Sequence, residues 1–121
     1  MQHERRVLLD CGMLQGGREE YKRNTAPFAF EAAALDAVVL SHAHIDHSGN
    51  LPNLVKQGYT GNIFATDATR DLCTVMLPDS AHIQENDVEW LNRRRSRSKL
   101  PPVEPTYNRL DADRSLRQFV T

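Results

Sequence analysis

The run Ser41-His42-Ala43-His44-Ile45-Asp46-His47-Ser48 constrains this chain more than any other feature, because it sets four metal-ligating side chains within six consecutive positions. Immediately before it stands Ala37-Val38-Val39-Leu40, an apolar block rich in β-branched residues and lacking polar alternation. That pattern predicts a central strand covered on both faces. Immediately after it, Leu51, Leu54 and Val55 recur at helical spacing, with Ser48 placed to cap the helix and Gly58 to end it. Asn62-Ile63-Phe64-Ala65-Thr66 then reads as another strand. Strand, loop, helix and strand in about 30 residues make a βαβ unit, so an α/β sheet is expected rather than a bundle or sandwich.

The position of the histidine run, between a covered strand and a helix, gives it chemical meaning. Extended residues two apart point the same way, so His42 and His44 are expected to share one metal ion. Asp46 and His47, around the bend, are expected to reach a second. A mixed imidazole and carboxylate set suits Zn²⁺ better than Mg²⁺ or Ca²⁺, with manganese or iron as the next choices. Two such ions about 3.5–4 Å apart would hold a bridging hydroxide as nucleophile. Asp46 would orient that hydroxide as well as ligate, which makes it the candidate catalytic residue. The competing reading, exposed histidines in a polar turn, does not account for so dense a run at a strand-to-helix junction.

Elsewhere, Val7-Leu8-Leu9 reads as a buried strand stopped by a turn at Asp10-Cys11-Gly12, with Gln15-Gly16-Gly17 continuing the loop. Asp67 is expected to cap a long helix whose core stripe is Leu72, Val75, Met76, Ile83, Trp90 and Leu91. Pro78 predicts a kink or break near Met76-Leu77, with Asp79 or Ser80 capping the restart. Residues 100–105 form an extended Pro-rich connection. Ala112, Leu116 and Phe119 mark one face of a last short helix, with no strand after it.

An apolar content of 40% over 121 residues suffices for the core of one small domain, and no linker or repeat divides the chain. The formal charge of −1 gives no global attraction to nucleic acid or anionic membrane. No apolar run approaches the roughly 20 residues of a membrane span, and the first residues lack the apolar stretch of a signal peptide, so a soluble cytoplasmic protein is expected. Cys11 and Cys73 are too few and too far apart for a disulfide framework or a paired zinc site, and read as buried thiols. Arg93, Arg94 and Arg95, with Arg97 and Lys99 following, are the candidate RNA-binding residues. Against that, cations commonly sit at a helix C-terminus through the macrodipole, and no aromatics interleave with the arginines. His82 reads as a hydrogen-bonded or surface residue, and His3 as incidental.

Four segments together resemble the metallo-β-lactamase superfamily and, within it, the β-CASP branch of RNA-processing nucleases. They are Leu9-Asp10-Cys11-Gly12-Met13-Leu14-Gln15-Gly16, Ala26-Pro27-Phe28, residues 41–52 (SHAHIDHSGNLP), and residues 77–85 (LPDSAHIQE). The resemblance implies a partial αββα fold, with one sheet and flanking helices and incomplete at both ends, of which 1–121 is the N-terminal portion. It assigns His42 and His44 to one Zn²⁺ and Asp46 and His47 to the other, and makes Asp10 an acidic residue supporting a ligand imidazole. Family members carry an opening strand pair before the Leu-Asp-Cys-Gly segment, and their remaining metal ligands and β-CASP insert lie beyond the positions present here. The expectation is therefore a fragment, inactive alone, whose partners are RNA and the remainder of the lactamase and β-CASP domains. Two rival functions stay open: a hydrolase of small thioesters, lactones or lactams on the same scaffold, and a non-catalytic RNA- or metal-binding module.

Overall fold

A computed structural model describes residues 4–121; His3 falls outside them. Four short strands, β1 (Val7–Leu9), β2 (Ala37–Val39), β3 (Ile63–Phe64) and β4 (Phe119–Val120), form one parallel sheet in that spatial order. Each link is a helical crossover. Helix α1 (Arg18–Thr25) joins β1 to β2, α2 (Ile45–Ser48) and α3 (Leu51–Lys56) join β2 to β3, and α4 (Asp67–Arg97) and α5 (Arg109–Arg117) join β3 to β4. The fold is thus the expected α/β arrangement of a parallel sheet with flanking helices.

The core fills one side of the sheet. Val38, Leu40 and Ile63 point into a cluster completed by Leu51 and Leu54 of α3, Cys73, Leu77 and Ala81 of α4, Ala112 of α5, and the rings of Tyr59 and Tyr107. The opposite side of the sheet is open. Leu9, Val39, Phe64 and Val120 are aligned in register across all four strands, and each is exposed. This corrects two expectations: β1 is not buried, with Leu9 74% exposed, and β2 is covered on one face only. The alternating pleat sends every second side chain away from the helices, and among the described residues no second layer covers that side.

Helix α4 differs most from its reading. Its buried residues are Thr69, Cys73, Leu77, Ser80 and Ala81, whereas Leu72, Val75, Ile83, Trp90 and Leu91 are exposed. Spacing identified a helix correctly but chose the wrong side. The buried stripe is built from small and polar residues with little hydropathy, whose polar atoms find partners: the Ser80 hydroxyl lies 2.8 Å from the Tyr107 hydroxyl. Pro78 does not break the helix, which runs unbroken from Asp67 to Arg97. The cost of an interior proline, about 3 kcal/mol, is met on both flanks by residues fixed in the core, Cys73 and Leu77 before it and Ser80 and Ala81 at or after it.

Two caps also fall elsewhere. Thr66, not Asp67, caps α4 by accepting from the Thr69 amide. Asn50 stands at the N-cap of α3, while Ser48 closes α2 and donates its hydroxyl to Ala43 O at 2.7 Å. Gly58 ends the α3 turn with φ +117 as expected. Finally, the chain does form a last strand. Phe119 leaves the α5 face to pair beside Ile63, and α5 is fixed at its start by a reciprocal Asn108–Asp111 capping box.

Candidate metal centre

The histidine run occupies the junction that follows β2. Leaving the strand, the chain stays extended through His44, whose φ of −55 and ψ of 145 make it the N-cap of the single-turn helix α2. Extended backbone before the turn and helical backbone after it bring His42, His44 and Asp46 together, with one ligand atom from each lying within 4.8 Å of the other two. The His42 and His44 rings meet edge to face at 4.9 Å between centroids, and His47 lies 3.9 Å from His42. His47 Nε2 stands 3.6 Å from Asp46 Oδ2, so this carboxylate faces both the His42–His44 pair and His47. Asp46 is the open side of the cluster, its side chain 71% exposed.

Asp10 anchors the rest. It leaves β1 with φ +62, a left-handed conformation that aspartate tolerates better than bulkier residues, and this turn directs its carboxylate toward the histidines. Oδ1 accepts from the Ser41 amide at 2.7 Å; Oδ2 accepts from the Ser41 hydroxyl at 2.7 Å and faces His47 Nδ1 at 2.8 Å. Since an ionised carboxylate only accepts, the proton of His47 sits on Nδ1 and leaves Nε2 free to bind. The same logic extends to His42. With its proton committed to Asp10, the Ser41 hydroxyl accepts from His42 Nδ1 at 3.0 Å, which frees His42 Nε2. One carboxylate therefore sets two imidazole tautomers, one directly and one through Ser41. Burial alone would raise the Asp10 pKa, but the bonds from the Ser41 amide, the His47 ring and the Ser41 hydroxyl outweigh it and hold the carboxyl below its ordinary value.

Backbone bonds fix this loop against the first strand's continuation. Cys11 N donates to His47 O at 2.8 Å, Met13 N to Ile45 O at 3.0 Å, and Asn50 N to Cys11 O at 2.9 Å. The approach is so close that a Cβ on Gly12 would lie 1.8 Å from the Asp46 carbonyl oxygen. Gly12 is thus a packing requirement of the site rather than a simple turn residue, and Ser41 is part of its hydrogen-bond network. Neither role was read from the sequence; a serine immediately before the histidine pair is a signal only once Asp10 is known to lie opposite.

The His42 and His44 imidazoles and the Asp46 carboxylate converge closely enough to hold one divalent cation, beside a network that holds the Nδ1 protons of His42 and His47. The family description of the beta-lactamase superfamily domain matches residues 5–106. The chain belongs to the metallo-β-lactamase superfamily, in its β-CASP branch.

Among curated superfamily relatives, the chain is 51% identical over 81 residues to a ribonuclease, TTHA0252, of Thermus thermophilus, a match covering 67% of this chain and 18% of that protein. It is 42% identical over 90 residues to transcription termination factor FttA of Methanothermobacter thermautotrophicus, covering 71% and 14% respectively. FttA of Thermococcus kodakarensis is 38% identical over 96 residues, covering 72% and 15%. The chain spans less than a fifth of the length of these relatives.

The superfamily cluster opens onto a cleft of about 480 Å³ that His44 and Asp46 line with Met13, Leu14, Gln15, Ile45 and Met76. Other candidates lie apart from it. His82 is exposed on α4 with Nε2 3.2 Å from Asn86 Nδ2, and is not a member of the cluster. Cys11 and Cys73 are buried free thiols; burial, aided by the nearby Asp10 charge, pushes Cys11 up to about 12. The arginine run divides by role: Arg93 pairs with Glu89 at 3.2 Å, Arg95 donates to Pro101 O at 2.7 Å, and Arg94 stacks on Trp90.

Proposed function

We propose that residues 1–121 form the N-terminal part of a metallo-β-lactamase domain in a longer protein that hydrolyses RNA phosphodiester bonds with two zinc ions. His42, His44, Asp46 and His47 would hold the metal, and Asp10 would orient them. The observation that carries this reading is the convergence of His42, His44 and Asp46 within 4.8 Å, beside a His47 whose tautomer Asp10 fixes. When bound, divalent ions supply Lewis acidity to a phosphoryl oxygen and make water a better nucleophile.

The chain's own residues do the positioning. Asp10 and Ser41 keep the Nδ1 protons of His47 and His42 occupied, so both Nε2 lone pairs would be free to hold metal. Asp46, on the exposed rim, has the freedom to accept a proton or orient water there. The relatives' names, a ribonuclease and a transcription termination factor, favour RNA over small thioesters, lactones or lactams. No helix among the described residues is long and apolar enough to cross a membrane.

Cleavage of labelled RNA by the full-length protein tests this directly. Wild type is expected to cut only when reloaded with zinc, and His44→Ala to stay inactive after the same treatment. The 121-residue chain is expected to take up metal weakly and to cut nothing. Equal cleavage by His44→Ala, or cleavage of a thioester or lactam in place of RNA, would overturn the assignment.

A further inference from the structure

We infer that Trp90 and Arg94 form a stacking platform for single-stranded RNA, on the same face of α4 that lines the cleft at the metal cluster. The inference rests on the RNA reading above and adds a second contact point to it.

At about 100° per residue, positions 76, 80, 83, 87, 90, 94 and 97 fall on one side of a helix. Met76 lines the cleft that holds His44 and Asp46. Ser80, Ile83, Gln84 and Asp87 line the adjoining cavity of about 410 Å³, which shares Met13, Leu14, Ile45 and Met76 with that cleft. Continuing along the helix, the same side reaches Trp90 and Arg94, about 21 and 27 Å beyond Met76 at about 1.5 Å per residue.

Trp90 is 57% exposed, unusual for the largest side chain in the chain, and the Arg94 guanidinium carbon lies 5.0 Å from its ring centroid. The guanidinium lies over one face of the indole, which leaves a base the other face. Nothing acidic consumes that charge: among the described residues Arg94 and Arg97 enter no ion pair, whereas Arg93 is paired to Glu89. The helix end is also held from its other side. Asn92 exchanges two hydrogen bonds with Val103, at 2.9 and 2.8 Å, and Arg95 donates to Pro101 O, so the returning loop clamps the far face and leaves Trp90 and Arg94 clear.

An exposed π-face beside an unpaired guanidinium matches one ligand chemistry well. A base stacks on the indole while Arg94, with Arg97 one turn on, meets the phosphates. The interleaved aromatic that the linear order of the arginines concealed is supplied one helical turn earlier.

Trp90 is the single tryptophan among these 121 residues, and the emission that the full-length protein loses in Trp90→Leu reports this site. Short oligoadenylate and oligouridylate would be titrated with divalent metal chelated, so that the strands stay intact. Saturable quenching of Trp90 is expected, stronger for the better-stacking adenylate, with little change for inorganic polyphosphate. In anisotropy of labelled RNA, Trp90→Leu should bind about five- to tenfold more weakly, the low end of losing one base–aromatic stack. Arg94→Gln should lower the slope of log affinity against log salt by about 0.7, one phosphate contact to a single strand. The same charge removed at Arg117, as Arg117→Gln, should leave binding unchanged. An unmoved Trp90 emission in a protein that binds and cleaves RNA would overturn the platform and leave the hydrolase reading standing. Equal weakening by Arg117→Gln would also overturn it, as would equal quenching by polyphosphate. A protein that neither binds nor cleaves RNA would overturn both readings.

Discussion

At the scale of single residues, the arrangement turns on Asp10. Its carboxylate accepts from the Ser41 amide and hydroxyl and from His47 Nδ1, and through Ser41 it reaches His42. Removing such a partner typically costs 10- to 100-fold in metal affinity, roughly, because the ligand loses its fixed tautomer. Ser41→Ala is therefore expected to weaken zinc binding by about tenfold and Asp10→Ala by more, since the latter releases both imidazoles and strains a left-handed position. Competition against a chromogenic chelator measures both; affinity unchanged in Ser41→Ala would contradict the relay. Side-chain chemistry and local spacing pointed to the four ligand candidates, whereas Asp10 was singled out only through the family resemblance. Ser41 and Gly12 were not, because their roles depend on which segment lies opposite, and strand pairing is not local information.

At the scale of elements, helix α4 shows where hydrophobic periodicity misleads. Leu72, Val75, Ile83 and Trp90 recur at helical spacing and yet face outward, while Cys73, Leu77 and Ala81 fill the core. Large apolar side chains dominate any hydropathy reading, so a core stripe with Leu77 as its one large apolar residue among cysteine, alanine, serine and threonine is outweighed by the exposed one. Leu77→Ala is expected to destabilise the fold by about 2–5 kcal/mol, and Val75→Ala by no more than about 0.5 kcal/mol. Urea unfolding distinguishes them; a larger loss at Val75 would restore the original stripe. Local signals did identify the βαβ order, since β2, α3 and β3 each carry their own pattern within a few residues. The last strand escaped because Phe119–Val120 is two residues long and exists only through its pairing with β3.

At the scale of the whole molecule, the core resists alkali through groups that burial keeps protonated. Cys11 is raised to about 12 from 9.0 and Tyr107 to about 12 from 10.0, in each case chiefly by burial. The unfolded chain therefore releases these protons first. Their contribution to stability is complete below about pH 9 and is lost as pH climbs toward 12. Unfolding midpoints in denaturant should fall steeply across that window, and less steeply in Tyr107→Phe, although that variant starts lower because Gly49 O and Ser80 lose their shared partner. A flat profile between pH 9 and 12 would mean that Cys11 and Tyr107 titrate in the native state. The open row Leu9, Val39, Phe64 and Val120 belongs to this scale too. Parallel sheets are normally covered on both faces, so the hydropathy of β2 announced a second layer that the described residues do not contain.

The central claim is that three imidazoles and one carboxylate, brought together where β2 turns into α2, bind a divalent cation. Nitrogen-15 spectra of the histidine rings during zinc titration test it most directly, because each ring reports separately. His42, His44 and His47 are expected to shift together, with His42 and His47 coordinating through Nε2, while His82 on α4 stays fixed. Rings of the run that stay unmoved as zinc is added, or a shift at His82 equal to theirs, would contradict the account.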